Sequence, residues 1–221
     1  MARMAMRSVP GGAVAKRAPK ARRAARLERR DRFGGTDGNE ILTSATSVLL
    51  VGLLVAEGFT IVNMRGLVTA HMFIGMVLIP PVLLKLVSTG YRFVRYYTEA
   101  RAYRQEGPPL LPLRLMAPVL VASTVAVFVT GVLLLAAGHK SDAVLQLHQL
   151  SFILWGVVFA VHVLAYAPRV ARSLGTDWRA ARRDAVPGAG FRGMLVCAAA
   201  GGGAALALSL LPVMNAWHGG H

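Results

Sequence analysis

The sequence contains a single cysteine, Cys197, in 221 residues. That excludes a disulfide framework and any cysteine-based metal centre. Acidic residues are scarce too: ten Asp and Glu stand against 25 Lys and Arg, for a net charge of +15. No strand-like alternation of apolar and polar residues is found, so nothing argues for a β-barrel. The first forty residues hold no apolar core of the kind a cleavable signal peptide needs. The glycine run in "AAAGGGAALAL" has neither a preceding strand nor a following lysine, which excludes a phosphate loop. Nucleophile–base pairs and hydrolase-type metal motifs are also missing.

What the chain has in excess is apolar sequence, 55% of the residues. Crossing a hydrocarbon core of about 30 Å takes roughly 20 apolar residues. Five runs reach that length, at 41–63, 67–88, 116–137, 144–166 and 194–214. In lipid each backbone amide must be paired within its own segment, so the runs are expected to be helices. The expected fold is an all-α membrane protein, a bundle of five transmembrane helices.

The basic residues alternate along the chain with the spans. Eleven lie in 1–32, before the first run. Arg92, Arg95, Arg101, Arg104 and Arg114 separate the second and third runs, and Arg169, Arg172, Arg179, Arg182, Arg183 and Arg192 separate the fourth and fifth. The remaining connections carry only Arg65 and Lys140. Lys- and Arg-rich flanks stay cytoplasmic. The expected topology therefore has the N-terminus inside and the C-terminus outside a plasma (inner) membrane. The basic segment 1–38 is read as a disordered cytosolic arm that sets topology and attracts anionic lipid. Charge alone carries no base-reading chemistry, so nucleic acid is not an expected partner. Residues 169–192 are expected to form a cytosolic Arg-rich loop.

Histidines stand out inside the apolar runs. His71 lies about four residues into the second run, and His148 about four into the fourth. In a five-span bundle these two helices run the same way. At 1.5 Å per residue, both histidines then lie roughly 6 Å below the outer boundary. His162 follows His148 by fourteen residues, about 21 Å deeper and on broadly the same helix face. Ionisable residues within a membrane are costly and mark functional sites by default. A single buried histidine is explained by a hydrogen bond to a neighbouring helix. Two at one depth on separate helices, without carboxylate or thiolate ligands beside them, better suit the two axial positions of a haem than a tetrahedral zinc ion.

With "LHQLSFILWGVVFAVHVL" around His148 and His162, and "AHMFIGMVLIPPVLLK" around His71, the chain resembles the bacterial cytochrome b561 and nickel-iron hydrogenase cytochrome b superfamily. The resemblance covers roughly 39–168, a four-helix core, and leaves out the basic arm and the fifth helix with its tail at 193–221. It implies an electron carrier holding haem b between His71 and His148 near the outer face. It also implies exchange with a quinone pool and a separate redox subunit. A second haem would use His162 and a histidine at the start of helix one. The stretch "GNEILTSATSVLL" has none, so one haem is expected where the family allows two. The competing expectation is a cofactor-free membrane anchor or scaffold subunit whose histidines are structural.

Glu57 is the only carboxylate within a run. Two readings stand for it: a proton acceptor at a quinone site beside the outer haem, or a structural partner of Arg65 or Thr60. Lys85, fourteen residues after His71, is expected to extend its ammonium to the lipid headgroups. Pro80 and Pro81 are expected to kink helix two. Gly75 and Gly131 are expected to make room for a flat ring or for ordinary helix contact. The small residues of helix five are read as a packing face, against the bundle or against a partner.

Overall fold

A computed structural model describes residues 35–98, 111–137, 141–180 and 188–217. They form five helices: α1 Gly35–Val62, α2 Met64–Tyr97, α3 Leu111–Ala137, α4 Asp142–Ala180 and α5 Ala189–Ala216. Among the described residues there is no strand. All five helices are long and apolar enough to cross a bilayer, and the protein is an all-helical, multi-pass membrane protein. Most of the basic arm lies outside the described residues. α4 continues as far as Ala180, so part of the expected Arg-rich loop is helix.

Valines, leucines and phenylalanines such as Val55, Phe59, Leu150 and Leu164 cover the outer surface. Small hydroxyls lie inside instead, with Thr46, Thr60, Ser88, Ser123, Thr130 and Ser151 all buried. Without water between helices, association rests on close packing and hydrogen bonds rather than on apolar burial. Most of these hydroxyls satisfy themselves by donating one turn back, as Thr46 does to the Leu42 carbonyl at 2.7 Å and Ser151 to that of Leu147 at 2.7 Å.

α1 and α2 are joined through Asn63 alone. Its carbonyl accepts the amides of Gly66 and Leu67, and Leu67 carries the only non-helical dihedrals inside α2 (φ −123°, ψ 19°). Pro80 and Pro81 keep helical dihedrals within α2. Pro81 is fully buried within the bundle. At the end opposite the turn, α1 and α2 are joined by polar groups. The Asn39 side-chain amide donates to the Ser88 carbonyl at 3.3 Å, and the Thr43 hydroxyl lies 3.3 Å from that of Ser88. The Lys85 ammonium donates to the Thr43 carbonyl at 3.0 Å and to Ser47 Oγ at 2.5 Å. Lys85 thus binds α1 instead of extending to the headgroups, because two oxygens of α1 lie within its reach.

α5 packs mainly along α2. Met76, Leu135, Ala207 and Met214 form the buried cluster, drawn from α2, α3 and α5. At the closest approach, a Cβ on Gly203 would collide with the Val77 backbone carbonyl. Gly201 and Gly202 face open space. The small-residue run of α5 therefore packs on the bundle itself, through Gly203 and Ala207. Gly203→Leu is expected to lower the thermal stability of the detergent-solubilised protein by about 1–3 kcal/mol, the usual cost of overpacking. Gly202→Leu is expected to leave the melting curve unchanged. Equal effects of the two substitutions would show that this crossing does not hold α5.

α3 packs chiefly on α4. The Trp155 indole donates to Thr124 Oγ1 at 3.1 Å and stacks on Phe159, with ring centres 4.7 Å apart. The bundle is thus two subassemblies, α1–α2–α5 and α3–α4, and α2 and α3 make a smaller contact between them. α2 and α4, the helices bearing the histidines, have at most marginal backbone contact.

Candidate functional site

The site forms at the seam between those subassemblies. His71 projects from α2 and His148 from α4, and their ring centres lie 6.4 Å apart with planes at 70°. The two residues that counting sets at one level stand beside one another in the bundle. Each ring is also held by its own hairpin.

In the α1–α2 hairpin, Glu57 lies six residues before Asn63 and His71 eight after it, so antiparallel packing brings them nearly level. Glu57 Oε1 is 3.0 Å from His71 Nδ1. Thr60 Oγ1 is 3.2 Å from the same nitrogen and 2.6 Å from the Glu57 carbonyl, to which it donates. The hydroxyl has one hydrogen, and with that directed at the carbonyl it presents lone pairs to the ring. Both neighbours of His71 Nδ1 are then acceptors, which places the ring hydrogen on Nδ1. Glu57 therefore pairs with His71. Of the two structural partners expected for it, Thr60 is in contact, at 3.4 Å from Oε2.

The α3–α4 hairpin repeats the arrangement. Thr130 Oγ1 donates to the Ala126 carbonyl at 2.7 Å and lies 3.0 Å from His148 Nδ1. By the same reasoning it accepts the Nδ1 hydrogen. Gly131 lies against this ring: a Cβ there would stand 3.2 Å from His148 Cε1. Gly75 stands in the same relation to Glu57, whose Oε1 would be 3.5 Å from an added Cβ. The two glycines make room for the imidazole and for the carboxylate that supports its partner.

Both imidazoles are thus held through Nδ1, leaving Nε2 as the basic nitrogen of each. A hydrogen bond from the second ring nitrogen is what fixes the tautomer and orientation of metal-ligating histidines. The two rings lie near enough that one group bound between α2 and α4 would be within reach of both. Among the described residues no group of three or more His, Cys, Asp or Glu side chains could hold a bare ion. A pair can instead complete a metal whose remaining positions are filled by a macrocycle.

His162 is not part of this cluster. It is half-buried farther along α4, within electrostatic reach of Lys85. The residues of α1 that engage Lys85 are Thr43 and Ser47, and neither side chain is a haem ligand. Thr130 is the one functional contact that carried no mark in the sequence. Its signal was positional, since it precedes Gly131, which lies as far before the α3–α4 turn as His148 lies after it. No family model, curated protein or solved structure matches the chain.

Proposed function

We propose that the protein is a membrane b-type cytochrome, of the class that the His71 and His148 motifs resemble, carrying electrons between a quinone pool and a redox partner. The carrying observation is that two imidazoles from loosely packed helices stand 6.4 Å apart, each held by its Nδ1. His71 and His148 would hold haem b between α2 and α4. The haem would supply reversible one-electron iron chemistry, while the protein sets ligands, surroundings and position.

The remaining roles belong to side chains of this chain. Thr60 and Thr130 fix the planes of the two rings and keep their hydrogens on Nδ1. Glu57 Oε1 faces the His71 ring and is the acceptor for a proton released beside it. The lipid-facing valines and leucines of α4 keep water from the seam. The basic segments support a cytoplasmic N-terminus, which would set the His71–His148 pair toward the outer face of the plasma membrane. One centre there exchanges electrons at the outer side and does not relay them across the bilayer.

Lys85 supports a count of one. At the level of His162 it binds α1 through Thr43 and Ser47, where an inner site would need a ligand. Pyridine haemochrome analysis of quantified protein is expected to give one haem b per chain, unchanged in His162→Ala. A ratio near two, with one haem lost in His162→Ala, would overturn the count. A second reading, a cofactor-free anchor, draws on the same Nδ1 contacts, because hydrogen bonds to threonine also satisfy a buried histidine. Protein purified without haem from haem-replete cells would favour it.

A further inference from the structure

The end of the bundle opposite the Asn63 turn holds a feature unconnected with the histidine pair. A cavity of about 260 Å³ lies between α1 and α5, lined by Ile41, Ala45, Arg192, Gly193, Val196 and Cys197. Its walls are apolar except for Arg192, which is only 7% exposed. Ala45 and Gly193 keep it open, and a Cβ on Gly193 would meet nothing within 4 Å. Arg192 lies in the first turn of α5, whose N-cap is Gly188 at φ 85° with no side-chain cap. The first amides of a helix and its dipole favour an anion at that position.

We propose that this cavity binds an anionic phospholipid, with the phosphate at Arg192 and the start of α5, and an acyl chain along Ile41, Ala45, Val196 and Cys197. Three observations carry the assignment. The guanidinium offers five donors in a planar fork, enough to take a phosphate beside its contacts within the protein. The other walls offer nothing to an inorganic ion, whereas a hydrocarbon chain matches them. The cavity also lies at the end of the bundle flanked by the basic segments, and such segments concentrate anionic lipid. Basic pockets between helices at the cytoplasmic face are known headgroup sites.

The test uses the full chain in nanodiscs of phosphatidylcholine, with or without phosphatidylglycerol. Cys197, the only cysteine, is exposed on the cavity wall and reports occupancy through its alkylation by N-ethylmaleimide. Phosphatidylglycerol is expected to slow the alkylation several-fold, and Arg192→Gln to abolish that slowing. Native mass spectrometry is expected to show preferential retention of phosphatidylglycerol by the unaltered chain and loss of that preference in Gly193→Leu, which fills the cavity and keeps the charge. The second variant decides the matter should Arg192→Gln fail to fold. Equal protection by both lipids, or retained preference in Gly193→Leu, would overturn the proposal. Protection of Cys197 by inorganic phosphate alone would also overturn it, leaving a plain anion site.

Discussion

Replacing His71 or His148 with alanine is expected to remove the low-spin haem spectrum while the chain stays in the membrane. The two rings meet edge-on from helices with little backbone contact, so neither has a substitute nearby. His162 lies too far along α4 to replace His148, and Glu57 would lose its ring partner in His71→Ala. Loss of even a supporting partner of a metal ligand costs on the order of 10–100-fold in affinity. Loss of the ligand itself should therefore leave no stoichiometric haem after purification. The helices should survive, because the two hairpins and the α2–α5 crossing do not depend on these rings. Absorbance of reduced and oxidised protein, normalised to chain concentration, reads the result. Full haem content in both variants would remove the assignment and leave the anchor reading.

Glu57→Gln is expected to raise the midpoint potential while haem content is retained. The ring hydrogen on His71 Nδ1 points to acceptors, one of them the Glu57 carboxylate at 3.0 Å. A carboxylate acceptor increases the basicity of the ligating nitrogen and so favours the oxidised iron. An amide oxygen still accepts the bond but gives up the negative charge. If about 1 kcal/mol of differential stabilisation is lost, the shift is roughly 40 mV upward for one electron. Thr130→Val, on the neutral side of the pair, should move the potential less. Spectroelectrochemical titration of both variants measures the difference, and an unchanged potential in Glu57→Gln would show that the carboxylate does not act through His71.

The five helices could be read from the apolar runs because lipid leaves the backbone no alternative to helix. The pairing of His71 with His148 could be read from depth, since helices of one direction share a scale of 1.5 Å per residue. Pairing of Glu57 with His71 was within reach by the same counting, since Glu57 lies six residues before Asn63 and His71 eight after it. Counting puts the two at nearly one level, and their direct contact depends on how the helices rotate about Asn63, which spacing does not encode. Lys85 was misjudged for a different reason. Its length allows it to reach either lipid or protein, and only the packing of α1 shows two oxygens within bonding distance. The hydrogen on each Nδ1 follows from which way a threonine hydroxyl points, which residue spacing does not encode.

The α2–α5 crossing also has a consequence for how the chain is made. The surface of α2 around Val77 leaves the ribosome before α3 and α4, and its partner around Gly203 leaves after them. Helices insert singly and associate afterwards, so α2 must remain in lipid, partly unaccompanied, while α3 and α4 are synthesised. During that interval its polar side, with Lys85 and Ser88, is protected by α1 alone. The one-residue turn at Asn63 ensures that α1 is already beside it. The hairpin therefore keeps α2 partnered until synthesis of α5 delivers the helix that packs against Val77.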